Sequence, residues 1–404
     1  MRFRKEALVH PQYCFDRSTI LGRKRKLGLT NEARIELFLW DLEIFCQIHK
    51  RLKNRVILKG GAAAQLYFPV DRQRTSIDID MICSARENEI KDCLSDIEKE
   101  FKGEGNLLKF RFHKPREAKT ELPLLTFFLT IPSEVVTGNG KKGVQEIKVE
   151  FLPNNMEWPS KKLTSPQVFA LETNQSYRVL TLEAMIADKL TTLGPNTIGI
   201  PESRRDELCK QIYDIDGLLH FPQGGKHNTL DIKALYKKRS KLECATRKVA
   251  FNLKEISDDV MGWLRRLLSI DFEDDPLLWK DINDFQSLYL RRSINRGKWQ
   301  WATIGEKLGF YLTNIYADRS TINVWKKALE VEAHLLFNEL EGRAKGELIR
   351  KFKGSFSRDF EKYSVFPLRM LRGKNPVRQM WHVVNPSNLS EIRKWIIDFK
   401  KRQL

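Results

Sequence analysis

Two short segments constrain this chain more than any others: the run VILKGG over residues 56–61, and the run SIDIDMI over residues 76–82. The second alternates with period two, which reads as a strand that turns Ile77, Ile79 and Met81 toward a core. Asp78 and Asp80 then share the other face, with their carboxylates about 6–7 Å apart along the strand. The first reads as a short apolar strand, and the small residues from Gly61 to Ala64 open a helix behind it. Gly60 and Gly61 let backbone approach a ligand closely, and a helix N-terminus offers unpaired N–H groups to phosphate. Each segment also has a plain structural reading, a tight turn and an exposed acidic face. Their succession as strand, helix and strand is what gives them weight together.

A helical period runs from Asn31, a candidate N-cap, to about Lys53, and a charged helix is expected over 86–101. Strand-forming runs follow at 107–112, 124–131 and 146–152. After Pro166 the chain reads as mostly helical, with segments near 181–193, 203–220, 230–240, 243–270, 276–292, 299–309, 321–345 and 389–402. Residues 1–29, with the run Arg23-Lys24-Arg25-Lys26, read as a basic, solvated arm. The stretch Gln223-Gly224-Gly225-Lys226 is the candidate boundary between a mixed unit over 30–222 and a helical unit over 230–404.

The acid pair suits a hard divalent ion, magnesium or manganese. Such an ion takes oxygen ligands and is commonly held by one or two carboxylates plus substrate phosphates. Two ions could activate a hydroxyl and neutralise a pyrophosphate leaving group. Glu150, between Val149 and Phe151 on a later strand, is the candidate third carboxylate. Lys189 lies on the apolar stripe of the 181–193 helix, where an ammonium must snorkel or meet an anion. Asp206, Lys210 and Asp214 recur at four-residue spacing on the next helix, as either a salt-bridge ladder or a functional face.

At this point LKGGAAAQLY with RTSIDIDM resembles the AbiEii/AbiGii toxin and MenT-type nucleotidyltransferases of the DNA polymerase β superfamily. Arg74, Ser76, Asp78 and Asp80 fall at the offsets of that family's R-x-S/T-x-D-I-D motif. TLEAMIADKLTTL resembles its lysine-bearing helix, with Asp188 and Lys189, and KQIYDIDGLL resembles its R-D-x-x-D-L helix. Lys210 and Gln211 depart from that last pattern, whereas Asp214 keeps it.

The resemblance implies an α+β fold: an N-terminal polymerase-β-like nucleotidyltransferase domain, a mixed sheet with flanking helices, then an all-helical C-terminal domain. It implies transfer of a nucleoside monophosphate from an NTP to a hydroxyl. In that account Asp78 and Asp80, with Glu150, hold the metal, and Gly60, Gly61, Ser76, Lys189 and Lys210 bind the nucleotide. Asp214 orients Lys189 or the acceptor. The family also implies a transfer RNA acceptor and an antitoxin partner, in a toxin–antitoxin or phage-defence system.

A net charge of +19 over 404 residues points independently to a polyanionic partner, nucleic acid first. A small-molecule or protein hydroxyl, or an inactive nucleic-acid-binding protein of the same fold, remain alternatives. No run of about 20 apolar residues is present for a membrane span, and no apolar leader follows the basic N-terminus, so a cytoplasmic protein is expected. The six cysteines are scattered without metal-ligand spacing and are expected to be free thiols.

Overall fold

The computed structural model describes residues 4–102, 108–113, 124–138, 141–153, 158–222, 227–273, 275–316, 322–336, 342–364 and 373–403. The boundary expected at 223–226 lies outside the described residues. Seven strands form one sheet among those described. They are β1 (Val56–Lys59), β2 (Asp78–Cys83), β3 (Lys109–His113), β4 (Leu125–Gly138), β5 (Lys141–Pro153), β6 (Ser160–Thr164) and β7 (Ser176–Leu180). Their order is β3-β4-β5-β2-β1-β7-β6. The sheet is mixed: β1 is antiparallel to β2 but parallel to β7, and β2 is parallel to β5.

Helix α1 spans Arg17–Leu27 and α2 spans Glu32–Leu52. Asn31 caps α2 by accepting the Arg34 N–H at 3.3 Å. The helix buries Ile35, Phe38, Leu42 and Phe45 against the sheet. Helices α3 (Gly60–Gln65) and α4 (Glu87–Phe101) follow β1 and β2. The basic run at 23–26 is therefore part of a docked helix and not a free arm. Ile20 is buried, Arg23 donates to the Cys14 carbonyl at 3.1 Å, and Lys24 pairs with Glu32. The segment before it is pinned too, because the buried His10 ring bridges Glu43 and the Tyr177 hydroxyl.

Beyond Leu180 the described residues form helices and turns. These are α5 (Leu182–Leu190), α6 (Arg205–His220), α7 (Thr229–Thr246), α8 (Leu253–Ser269), α9 (Pro276–Tyr289) and α10 (Lys298–Tyr316). Then come α11 (Ile322–Ala333), α12 (Gly342–Asp359), α13 (Pro376–Val383) and α14 (Leu389–Gln403). Three local expectations are corrected. Ser176–Leu180 lies in the stretch read as mostly helical, yet it is a strand, because Tyr177, Val179 and Leu180 fill the core beside β1. The break between α7 and α8 falls at 247–252, where Lys248 takes φ +56° and Asn252 caps α8. The helix expected over 321–345 ends at Ala333 and tightens into a 3-10 turn, His334–Leu336.

The helical region seats directly on the sheet-bearing part. Helix α9 packs along α6, and the Thr75 N–H donates to the Tyr289 carbonyl at 3.1 Å. All six cysteines are free and buried. No described helix is long and apolar enough to cross a membrane.

Candidate active site

Register places the acids. Residues directly opposite on neighbouring strands share a face of the sheet. Asp80 of β2 stands beside Glu150 of β5, and Asp78 beside Lys148. On the other side Asp80 is paired with Lys59, the last residue of β1, so the chain leaves β1 for the two glycines at the level of that carboxylate. Ile79, Val149, Met81 and Phe151 fill the opposite, apolar face.

The glycines are required by this crowding. Gly60 has φ +71°, a left-handed conformation that side chains rarely adopt, and a Cβ there would sit 2.1 Å from Asp80 Oδ2. At Gly61 a Cβ would lie 2.9 Å from Arg74 Nη2 and 3.1 Å from Ser76 Oγ. The result is a cleft of about 280 Å³ with Asp78, Asp80 and Glu150 in its wall together with Ser76 and Gly61. Lys148, Arg204 and Lys210 supply positive charge to the same cleft, and Tyr289 closes it from the helical region.

The acids are held at an electrostatic cost. Burial raises Asp78 above the ordinary carboxylate range; Lys148 opposes the rise and Asp80 adds to it. Burial and then Glu150 raise Asp80. Glu150 itself is engaged by Lys148 Nζ at 2.8 Å and by the Thr126 hydroxyl at 3.2 Å. Two further acids went unnoticed in the sequence: Glu207, which lines the cleft, and Asp41 behind it. Asp41, in the apolar stripe of α2, is buried beside Ser76. Burial lifts its pKa well above the ordinary value, with Asp78 and Asp80 adding and Ser76 opposing. A carboxylate in the middle of FLWDLEIF was the available signal.

This cluster of oxygen acids, only partly offset by Lys148, fits a hard divalent cation, which would relieve the remaining repulsion. Among the described residues no three His, Cys, Asp or Glu side chains are grouped closely enough to hold an ion alone. An ion held here would need further oxygen ligands beyond these side chains.

Lys189 and Asp214 are brought together, but behind the cleft and not in its lining. Asp214 is fully buried and accepts two bonds from Arg74, Nε to Oδ1 at 2.8 Å and Nη2 to Oδ2 at 2.6 Å. Lys189 Nζ donates to Asp214 Oδ2 and to Gln211 Oε1, both at 2.8 Å. Gln211, the departure from the family motif, therefore still serves as an acceptor, without a charge. Burial works to raise Asp214, but Arg74 and Lys189 outweigh it and hold the carboxyl below its usual range. For Lys189 burial prevails and the ammonium is lowered. Lys59, just before the glycines, pairs with Asp188 at 3.0 Å, and Arg239 of α7 pairs with the same carboxylate at 3.0 Å.

Asp214→Asn leaves two buried cations short of their counter-charge, and a loss of about 3–5 kcal/mol of stability is expected. The dependence on pH has a definite sign. Because the folded-state pKa is depressed, the contribution of Asp214 is complete above the unfolded value and is lost as pH falls through the folded one. Urea titrations at pH 7 and at about pH 2, below the unfolded carboxylate value, check this: the gap between wild type and variant is largest at pH 7 and narrows only below about pH 4.

A model of the nucleotidyl transferase AbiEii toxin family, of type IV toxin–antitoxin systems, matches residues 44–299. The chain belongs to the AbiEii family. It is a nucleotidyltransferase, and the match takes in the glycine turn, the acid strand, Lys189, Asp214 and Tyr289. Among solved structures, the AbiEii chain is similar to MenT4, a nucleotidyltransferase toxin from Mycobacterium tuberculosis H37Rv. Identity is 12%, coverage is 76% of this chain and 92% of that one, and the TM-score is 0.42. It is also similar to a candidate nucleotidyltransferase from H. pylori, at 14% identity, covering 70% of this chain and 97% of that one, with TM-score 0.37. No curated protein matches it.

Proposed function

We propose that this AbiEii-family enzyme transfers a nucleoside monophosphate from a magnesium-bound NTP to a hydroxyl of RNA, a transfer RNA in particular. It would do so as a cytoplasmic toxin restrained by an antitoxin. The observation that carries this reading is the alignment of Asp80 with Glu150 on one strand boundary and with the Lys59-Gly60-Gly61 turn on the other. That alignment sets acids, bare backbone and cations around one small cleft.

In this reading Asp78 and Asp80 hold the metal, with Glu150 beside them. The metal when bound neutralises the triphosphate and lowers the pKa of the attacking hydroxyl. Gly60 and Gly61 bring backbone to the phosphates, and Ser76 offers a hydroxyl. The expected phosphate contact of Lys189 passes to Lys148, Arg204 and Lys210, which line the cleft. Lys189 and Asp214 act from behind by fixing Arg74, whose guanidinium lies against Gly61. Catalysis of this kind is positioning and charge neutralisation.

The RNA acceptor rests on the net charge of +19 and on basic helices that expose Arg343, Arg350 and Lys351 on α12 and Arg393, Lys394 and Lys401 on α14. Polyanions are drawn to such surfaces in a salt-dependent way. The same proposal treats 30–222 as the transferase unit and 230–404 as a helical, RNA-facing unit seated on it. The test is incubation with magnesium and each α-labelled NTP in turn, with total tRNA, total protein or no acceptor, beside an Asp78→Ala/Asp80→Ala variant. Label is expected in tRNA and absent with the variant. Label in protein alone would overturn the acceptor.

A further inference from the structure

Tyr289 is the last residue of α9, far from every motif in the sequence, yet it closes the cleft. Its place is fixed three times over. Its carbonyl accepts the Thr75 N–H at 3.1 Å and faces the Thr75 hydroxyl at 3.4 Å, in the loop leading to Asp78. Its ring stacks on Phe285, with centroids 5.7 Å apart. The Arg34 guanidinium lies 4.2 Å from the ring centroid. The residue is thus anchored through its backbone by the loop before β2, and through its ring by Phe285 of its own helix and by Arg34 of α2, although that helix lies outside the catalytic sheet.

The polar end of this tyrosine is only half used. Lys210 Nζ donates to the Tyr289 hydroxyl oxygen at 3.3 Å and stands 4.9 Å from the ring centroid. The phenolic hydrogen has no acceptor among the described residues. Lys210 has no carboxylate partner there either, and an ammonium carries three donors. Arg34 likewise has no ion pair among the described residues, and its Nη1 is buried without a hydrogen bond. Arg74, at 5.8 Å from the ring, is neutralised by Asp214. Aromatic faces attract cations, so the ring gathers positive charge at the cleft, and Lys210 acts on Asp78 through space without a direct ion pair among the described residues.

We propose that the Tyr289 hydroxyl and the Lys210 ammonium form a two-donor subsite for a phosphate oxygen. The helical region would thereby supply one wall of substrate binding. This rests on the reading that the cleft takes a triphosphate beside an RNA acceptor. The phosphate can come from either, and the shared chemistry is an oxyanion that accepts one O–H and one charge-assisted N–H bond. Tyr289 plays a double part, donating to the phosphate and positioning Lys210.

The test is a binding cycle on the full chain with wild type, Tyr289→Phe, Lys210→Met and the double variant. Isothermal titration with inorganic tripolyphosphate in magnesium buffer reads the nucleotide's phosphates, and fluorescently labelled total tRNA at fixed salt reads the acceptor's. Tyr289→Phe keeps the ring, its stack and the backbone contacts, so folding is preserved, which thermal melts verify. In one of the two arms each single change is expected to weaken binding about five- to tenfold. The double variant should be no more than about twofold worse than the weaker single, as befits groups that act as a unit. Loss in the tripolyphosphate arm assigns the subsite to the nucleotide, and loss in the tRNA arm to the acceptor. The proposal is overturned if wild type binds both ligands and Tyr289→Phe binds them equally well, or if the two changes multiply. Failure of wild type to bind either ligand would remove the underlying reading of the cleft instead.

Discussion

Asp80→Asn should reduce nucleotidyl transfer by about a hundred- to a thousandfold, the usual loss when one preorganised charge-stabilising group is removed. The same substitution should make the metal-free protein more stable at neutral pH. Both effects follow from one fact: Asp80 is half-buried beside Glu150, and desolvation first, then that neighbour, raise its pKa. For an acid whose folded pKa lies above the unfolded one, folding binds protons, so stability falls as pH rises from the unfolded value through the folded one. Asparagine is spared this loss. Thermal melts in EDTA should place the variant above wild type at pH 7, with the gap closing toward pH 4, while added magnesium lifts wild type more than the variant. Asp78→Asn should show the same pattern, because burial raises Asp78 too.

Gly60→Ala is the second large effect expected, a loss of at least about a hundredfold in activity, since displacing a reacting group by an ångström suffices for that. The added methyl would stand 2.1 Å from Asp80 Oδ2 and 2.9 Å from its Cβ, on backbone at φ +71°. Both the strain and the collision act on the Asp80 carboxylate, and a stability loss of about 1–3 kcal/mol accompanies them. Gly61→Ala is the internal comparison. Its φ is ordinary, and its methyl would press on Arg74 Nη2 at 2.9 Å and Ser76 Oγ at 3.1 Å, side-chain atoms with some freedom to yield. Initial rates and denaturant midpoints for both variants should rank Gly60→Ala as the more damaging on each scale.

The part of this site legible in the sequence is the part written in local periods. Alternation put Asp78 and Asp80 on one face, and the glycines after an apolar strand marked the turn beside them. The same alternation put Glu150 on a face, and the parallel pairing of β2 with β5 then brought it to Asp80. What local pattern could not give is which distant residue neutralises which. Arg74 was visible only as a motif letter until its partner, Asp214, appeared 140 positions away. Lys189, placed by its helical stripe, proved to be tied to that same acid.

Asp41 and Tyr289 lay in segments whose periodicity announces only core, so their chemistry appears when α2 and α9 are packed against β2 and α6. The basic residues of α1 misled for a related reason. Charge density suggests solvent, whereas one buried isoleucine, a pairing with Glu32 and a hydrogen bond to Cys14 are enough to dock the helix.

The central claim is that this cleft moves a nucleotidyl group and not a terminal phosphate. The most direct measurement supplies the same NTP with label at the α-phosphate or at the γ-phosphate, under identical conditions with magnesium and tRNA. The account predicts that the α-label enters the acceptor while the γ-label leaves in pyrophosphate, and that Asp80→Asn slows both by about a hundred- to a thousandfold. Entry of the γ-label into the acceptor, with the α-label left on a nucleoside diphosphate, would contradict it.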